Sequence, residues 1–398
     1  MAVKRKLLVI GPVPPPLSGP EVVTKNLIES QVLNDRYEII HLNTTVRKSN
    51  HAKGKLDALM VWALVSYLFR FAWCLVFKRP DYVLYLPTSA TLKGWTRDGM
   101  TLLLSGVLGA KLVVLFQGGH FRYFYDSLGV TTQALIRGLI CRCNLVLAQA
   151  APLKRQFEGI LPRARVGTLF NSIDQIFFSK FEHIPPRHST ILNVLFIGHL
   201  SYAKGYCDLL KVIPELARQH NVRFQFMGVL NRIERNVFFN QATGERLQHE
   251  DPETCFREYI ETTGLSQRVQ LLGGQVHGDD KIRVFQQADI FVLPSDSEGF
   301  STAILEAMAA QLPVVVTKVG AVPEIIEEGE NGYVILPGDL DALRDRLERL
   351  ITNQELRLTM GKNNREKCRC EFLSDTMAKN LGEMLASLGT PSTENISA

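Results

Sequence analysis

The sequence lacks the patterns that mark several classes of protein. Its seven cysteines include no Cys-x-x-Cys pair, and the two Cys-x-Cys pairs, Cys141/Cys143 and Cys368/Cys370, have no histidines nearby. This pattern argues against a zinc site. The first apolar run, Leu7–Ile10, is shorter than the core of a secretory signal. We therefore expect a protein of the reducing cytoplasm.

The sequence also lacks a strong charge imbalance, a nucleic-acid-binding motif and an internal repeat. Its 45 Lys and Arg residues against 40 Asp and Glu residues give a net charge of +5. This charge predicts no nucleic-acid partner but permits weak attraction to anionic membranes or ligands. With 398 residues, of which 46% are hydrophobic, the chain is long enough for two globular domains.

Apolar runs alternate with helical patterns along the chain. Leu7–Ile10 and Leu192–Ile197 are each followed by a glycine-containing loop and then by a helix, as in the first unit of a doubly wound domain. The fold class is therefore α/β, with two Rossmann-like domains. The predicted boundaries are an N-terminal domain over 1–184, a C-terminal domain over 185–370, a C-terminal helix over 371–388 and a disordered tail over 389–398.

Residues 289–316 carry the most specific chemical pattern. They predict a buried strand, a polar loop, a helix that begins after Ser301, and a second strand. The amides of Gly299, Phe300 and Ser301 would form an anion site at the start of that helix. Glu298 lies beside this site, and Glu306 lies two turns further along, where it could bind a diol. A diphosphate between two polyhydroxylated groups, as in a nucleotide sugar, fits this spacing.

Four motifs resemble those of the retaining glycosyltransferases of family GT4, which have the GT-B fold. They are Pro-Ser-x-x-Glu-Gly-Phe at 294–300, Glu-Ala-Met-Ala at 306–309, Gly-His-Leu-Ser-Tyr-Ala-Lys-Gly at 198–205 and Gly-Ala-Val-Pro-Glu at 320–324. The resemblance implies two domains that face each other across a cleft. It also implies a hexosyltransferase-like enzyme that moves a sugar from a nucleotide-sugar donor to an acceptor.

The resemblance assigns roles to individual residues. The catalytic residues are expected to be Glu298, Lys204 and His120. The donor-binding residues are expected to be Gly19, His199, Lys204, Glu298, Gly299, Phe300, Ser301 and Glu306. No Asp-x-Asp motif stands at the end of a predicted strand, so neither a metal ion nor another cofactor is expected. Three positions depart from the family pattern, namely Pro20 and Gln311, where glycine is usual, and His199, where arginine is usual.

The loop that follows the predicted strand Lys111–Phe116 leaves two alternatives open. The family has a histidine in this loop that reaches the donor sugar. In this chain either Gln117, directly after the strand, or His120 could take that place. The chemistry favours His120, whereas the position in the alignment favours Gln117.

The most hydrophobic stretch, residues 58–77, has three interpretations. It could be a helix of the N-terminal domain, a helix that lies on a membrane surface, or a transmembrane span. Its aromatic residues and the flanking cations Lys53, Lys55, Lys78 and Arg79 favour membrane contact, whereas the continued α/β alternation argues against a span. A lipid-linked or polysaccharide acceptor and a location at the inner face of the membrane follow as expectations.

Two other functions use the same grip on a nucleotide sugar. A GT-B epimerase would need general bases in the cleft, and the N-terminal loops contain few acids. A non-catalytic scaffold would tolerate the departures at Pro20, His199 and Gln311. The intact Glu298, Glu306 and Lys204 favour the transferase.

Overall fold

A computed structural model describes residues 4–15, 19–45, 58–86, 92–107, 109–183, 190–228, 252–274 and 278–389. Within these residues the strands form two parallel six-stranded sheets, each with helices packed on it. The cations Lys53 and Lys55, residues 184–189 at the predicted domain boundary and all of the tail after Gly389 lie outside the described residues.

Elements of the first half of the chain follow the predicted alternation. The strands are β1 (Arg5–Gly11), β2 (Tyr37–Asn43), β3 (Tyr82–Tyr85), β4 (Lys111–Leu115), β5 (Leu145–Ala148) and β6 (Val166–Thr168). The helices are α1 (Gly19–Glu29), α2 (Gln31–Arg36), α3 (Ala58–Trp73), α4 (Leu92–Val107), α5 (Phe121–Asp126) and α6 (Val130–Ile140).

The second half has the same alternation. The helices are α7 (Gln175–Ser179), α8 (Tyr206–Gln219), α9 (Pro252–Thr263), α10 (Asp279–Gln287), α11 (Thr302–Ala309), α12 (Val322–Ile325), α13 (Leu340–Thr352), α14 (Gln354–Glu371) and α15 (Ser374–Gly389). The strands are β7 (Leu192–Ile197), β8 (Val222–Met227), β9 (Val269–Leu271), β10 (Ile290–Leu293), β11 (Val314–Thr317) and β12 (Gly332–Ile335).

The chain divides into two compact units at positions that differ from the predicted ones. The first unit contains the residues up to Ser172 and those from Ser374 onward, and the second contains Ile173–Leu373. Helix α15 therefore belongs to the first unit rather than standing alone. The physical reason is its apolar face, because Met377, Leu381 and Leu385 are buried in the same hydrophobic core as β1.

The order of the strands differs between the two sheets. The first sheet has the order β2-β1-β3-β4-β5-β6, and the second has the order β12-β11-β10-β7-β8-β9. Counted from β7 as strand one, the second sheet has the order 3-2-1-4-5-6, which is typical of dinucleotide-binding domains. The order reverses between β1 and β3 in the first unit and between β7 and β10 in the second. Ligands of such sheets bind at these reversal points, beyond the carboxyl ends of the strands.

Helix α3 has two apolar faces in different surroundings. A π-helical turn, Cys74–Lys78, extends the helix to the edge of β3. Tyr67, Phe71 and Leu75 are buried in the first unit, whereas Trp62 and Phe69 are 68% and 72% exposed. The stretch is thus a half-buried helix of the first unit, which agrees with the first of the three interpretations. Within the described ranges, no helix has the length and apolarity that a transmembrane span requires.

Candidate active site

Two loops meet at the reversal point of the second sheet. Strands β7 and β10 pair directly, and residues 198–205 follow β7 while residues 294–301 follow β10. The amide of Asp296 donates to the carbonyl of Ala203 at 3.0 Å, which fixes one loop to the other. Gly205 has φ +70, and a Cβ atom there would lie 1.8 Å from the carbonyl oxygen of Pro294. This close approach therefore requires glycine.

The meeting of these loops brings Lys204 and Glu298 into contact. Lys204 Nζ lies 2.6 Å from Glu298 Oε1, and the Ser295 hydroxyl donates to the same oxygen at 2.8 Å. Glu298 and Ser295 are buried, whereas a quarter of the Lys204 side chain remains exposed. The two residues predicted as catalytic from separate motifs are therefore direct partners. Ser295, which holds the carboxylate from the other side, was not predicted.

A third loop supports Glu298 from the end of β11. The amide of Ala321 donates to the carbonyl of Gly299 at 2.9 Å. Gly320 has φ +55, and a Cβ atom there would lie 2.4 Å from the carbonyl oxygens of both Glu298 and Gly299. The Gly-Ala-Val-Pro-Glu motif is thus a backbone support for the loop that carries Glu298.

The start of α11 matches the predicted anion site in position. Ser301 is the N-cap residue, and its side chain makes no capping hydrogen bond to the amides that the structure describes. Phe300 is buried, with its ring centroid 6.0 Å from that of Phe372. This packing fixes the backbone of Gly299, Phe300 and Ser301, whose amides carry the predicted role. An anion at this helix start would be stabilised by the helix dipole.

Glu306 in α11 has a partner that the sequence analysis missed. Lys281 Nζ of α10 lies 2.5 Å from Glu306 Oε1. The other carboxylate oxygen, Oε2, is buried and has no hydrogen-bond partner among the described residues. Lys281 lies in the first turn of its helix, where the dipole disfavours a cation. A lysine at this unfavourable position was the one sign in the sequence that its side chain pairs with a carboxylate elsewhere.

His199 lies at the carboxyl end of β7, where two strand ends approach closely. A Cβ atom at Gly228, after β8, would lie 1.7 Å from the carbonyl oxygen of Gly198. The His199 residue is exposed, but partial desolvation of its ring and the nearby charge of Lys204 lower its pKa below the ordinary 6.5. The imidazole is therefore mainly neutral at pH 7, whereas the arginine that is usual at this position in the GT4 family would be charged.

The predicted residues of the first unit lie on separate loops at the carboxyl edge of its sheet. Gly19 is the first residue of α1, and among the described residues no side chain or backbone atom of another element lies within 4 Å of a Cβ built there. His120 is the N-cap of α5, and Gln117 lies three residues before it in the same loop. Both side chains are half-buried, so the choice between His120 and Gln117 stays a prediction.

A buried polar network, which was not predicted, links the loops that follow β4, β5 and β6. Gln149, after β5, accepts from the amide of Gly118 at 2.9 Å and donates to Asn171 Oδ1 at 2.8 Å. The buried side chain of Asn171 is thereby linked, through Gln149, to the loop that carries Gln117 and His120. No sequence periodicity marks Gln149 as buried.

Comparison with known proteins finds a family match in the second half of the chain. The sequence profile described as "Glycosyl transferases group 1" matches residues 181–367. Lys204, Glu298, Lys281 and Glu306 all lie within this match. This part of the chain is therefore similar to the group 1 glycosyltransferases. Gly19 and His120 lie outside the matched residues, so the match does not bear on them.

Curated proteins with glycosyltransferase-related names match parts of the chain. N-acetyl-alpha-D-glucosaminyl L-malate synthase of Bacillus anthracis is 32% identical over 250 residues, which cover 61% of this chain and 59% of the relative. The capsular polysaccharide biosynthesis glycosyltransferase CapM of Staphylococcus aureus is 32% identical over 108 residues, covering 27% and 28%. The chain thus spans less than two thirds of the length of these curated relatives.

Solved structures show the same fold. Anabaena HepE in complex with UDP has a TM-score of 0.68 at 17% identity and covers 96% of this chain and 100% of its own. The same protein in complex with UDP-glucose has a TM-score of 0.67. Together with the two parallel sheets, this likeness shows that the chain has a two-domain α/β GT-B fold, as predicted.

Proposed function

We propose that this protein transfers a sugar from a nucleotide-sugar donor to a lipid-linked or polysaccharide acceptor, with retention of the anomeric configuration. The proposed role is in cell-surface glycan biosynthesis. The observation that carries the proposal is the contact between Lys204 and Glu298 at the reversal point of the second sheet. A cation, a carboxylate and a helix start at one sheet edge suit a ligand that is part anion and part polyol.

The donor is proposed to bind along the second unit. Lys204, the amides of Gly299–Ser301 and, when protonated, His199 would hold its diphosphate. Glu306 would accept a hydrogen bond from a ribose hydroxyl through Oε2, because Lys281 already occupies Oε1. HepE, which shares the fold, has been solved with UDP and with UDP-glucose, which supports a nucleotide sugar as the ligand class.

The transfer step exchanges one bond to the anomeric carbon for another. The bond from this carbon to the leaving phosphate oxygen breaks, and a bond to the acceptor oxygen forms on the same face of the sugar. The acceptor proton passes to the leaving phosphate. Negative charge grows on the diphosphate during this step, so Lys204 and the helix amides stabilise the transition state more than the ground state. Glu298 keeps Lys204 in place and contacts donor hydroxyls, while His120 and Gly19 would contact the donor from the first unit.

The acceptor and its location form the second part of the proposal. CapM, a relative, is named for capsular polysaccharide biosynthesis, which supports a glycan acceptor. The exposed aromatic face of α3 supports an acceptor that is linked to lipid, with the protein in peripheral contact with the inner face of the membrane. The reaction is proposed to need no metal ion or other cofactor, so a chelator should leave the rate unchanged.

A donor screen tests the proposal. Purified protein is mixed with UDP-, GDP-, ADP- and dTDP-sugars, and thermal stability and nucleotide release are followed with and without membrane extract. One donor should stabilise the protein and release its nucleotide slowly, with faster release when an acceptor is present.

The screen is repeated with the test variant Glu306→Gln and with its matched control, Glu327→Gln. Both carboxylates are paired with a lysine at 2.5 Å, but Glu327 is an exposed residue away from the predicted motifs. Only Glu306→Gln should lose stabilisation by the donor. If no nucleotide sugar stabilises the wild-type protein, the proposed function is wrong.

A further inference from the structure

The exposed side of α3 and of the π-helical turn that follows it carries a stripe of apolar residues. We call Trp62, Val65, Phe69, Trp73 and Val76 the outer face of α3. Their spacing of three and four residues places them on one stripe, and they are between 45% and 72% exposed. Phe77, 68% exposed, adjoins its end. A contiguous exposed stripe of this kind marks an interaction surface, because isolated exposed apolar residues do not align this way.

The charges along this stripe all have one sign. Between Ala58 and Pro80 the sequence contains no acidic residue, and its charged residues are Arg70, Lys78 and Arg79. All three are exposed. Lys78 Nζ lies 5.7 Å from the centroid of the Trp73 ring, so a cation and an aromatic ring share the end of the helix. Aromatic rings with adjacent cations are typical of helices that lie at a membrane interface.

A basic cavity adjoins the end of the outer face. Its volume is about 570 Å³, and Val76 of the outer face and Arg79 both line it. Arg5 and Lys111, at the starts of β1 and β4, also line it, against one acidic residue, Asp81. The cavity lies at the amino edge of the first sheet, away from the edge that holds Gly19 and His120. An anionic group of phosphate size would meet an excess of positive charge there.

We infer that the outer face of α3 and its basic end dock on a bilayer that contains anionic phospholipid. The aromatic stripe would enter the interface, and Arg70, Lys78 and Arg79 would lie at the level of the lipid phosphates. The phosphate of one headgroup would occupy the cavity beside Arg79. This inference rests on the proposed membrane contact and gives its partner a chemical class. Charge complementarity favours an anionic bilayer over a second copy of the chain, because two such basic faces would repel each other.

Vesicle co-sedimentation of the full chain tests this inference. The vesicles consist of phosphatidylcholine alone or of phosphatidylcholine mixed with phosphatidylglycerol. The wild-type protein should sediment with the mixed vesicles, and less so as salt rises. The variant Trp62→Ser/Phe69→Ser/Phe77→Ser should lose this binding. Val130→Ser/Leu135→Ser, which removes exposed apolar residues of α6 in the same unit, should keep it.

A second variant separates charge from apolar contact. Arg70→Glu/Lys78→Glu should weaken binding to the mixed vesicles by at least about tenfold, because each cation near an anionic surface contributes about fivefold. Equal binding of the wild type to neutral and mixed vesicles would overturn the anionic partner. Unchanged vesicle binding by the aromatic variant would overturn the docking surface. A wild-type dimer that the aromatic variant dissociates, without vesicle binding, would assign the face to a second copy instead.

Donor stabilisation of the same preparations distinguishes this inference from the proposed function. All four proteins should be stabilised equally by the donor, since α3 lies outside the second unit. Loss of donor stabilisation in every sample would contradict the transferase proposal, while the vesicle results would still decide the docking surface.

Discussion

The reversal points of the two sheets hold different chemistry. In the second unit, the loops after β7, β10 and β11 are fixed together by backbone contacts and by the pair Lys204–Glu298. In the first unit, the neutral amides of Gln149 and Asn171 link the loop after β4 to the ends of β5 and β6. A rigid site with a cation suits the anionic diphosphate of a nucleotide-sugar donor. The first unit instead offers neutral loops and an exposed aromatic helix, which suit an acceptor. This difference supports the proposal that the second unit binds the donor and the first unit binds the acceptor.

The largest expected effect comes from the backbone contact that joins the loops after β7 and β10 in the second unit. Gly205→Ala would place a Cβ atom against the Pro294 carbonyl, and we expect a loss of about 3 kcal/mol or more in the free energy of unfolding, together with loss of donor binding. Chemical denaturation and nucleotide titration measure both quantities.

A matched glycine separates the contact from the backbone angle. Gly264 has φ +66, close to the φ +70 of Gly205, but no atom lies within 4 Å of a Cβ built there. Gly264→Ala should therefore cost only about 1 kcal/mol, the usual penalty for a left-handed residue. Equal losses in the two variants would show that the loop contact contributes nothing.

An intermediate effect is expected at Lys281. Lys281→Met should weaken donor binding by about tenfold, because Glu306 loses a charge-assisted hydrogen bond that holds its carboxylate. Lys281→Arg should restore most of the affinity. The control is Lys367→Met, which breaks the 2.5 Å pair with the exposed Glu327 in the same unit. Calorimetric titration with the donor's nucleoside diphosphate measures the affinities, and equal losses in the two Met variants would contradict a role for Lys281.

The smallest effect concerns pH and His199. Its pKa lies below 6.5, and an anionic diphosphate would raise that pKa on binding. Binding then takes up a proton, so donor affinity should rise as the pH falls through the pKa of His199. His199→Arg should remove this dependence and strengthen binding about threefold at slightly alkaline pH, as expected for an exposed charge. His220→Asn should leave the pH dependence intact, and an unchanged slope in His199→Arg would exclude His199 from the clamp.

The sequence predicted the loops of the second unit well because their motifs depend on backbone geometry. Gly205 and Gly320 have positive φ angles at close approaches, and these local requirements are visible as glycines at fixed spacing. Gln311, which departs from the family glycine, also has a positive φ of 59° and donates to the carbonyl of Phe181 at 3.3 Å. Even the departure therefore occurs where the backbone demands an unusual conformation.

Contacts between distant elements were less predictable. Lys281 and Glu306 lie on the helices that precede and follow β10 in the chain, and nothing in their spacing shows that their side chains meet. The return of α15 to the first unit depends on a core formed by residues more than 300 positions earlier, such as Leu7 and Leu27. The buried Gln149 was missed for the same reason, because its partners come from the ends of neighbouring strands. Patterns within one helix, strand or loop can be recognised in the sequence. Contacts between side chains of different elements can be recognised only once the fold is known.

The central claim is that Lys204 binds the diphosphate of the donor. Calorimetric titration of wild type and Lys204→Ala with the nucleoside, its monophosphate and its diphosphate tests this claim most directly. The Lys204→Ala variant should bind the nucleoside with the affinity of the wild type. Of the three ligands, only the diphosphate should bind about 100-fold more weakly. An equal loss for all three ligands, or none for the diphosphate, would contradict the claim.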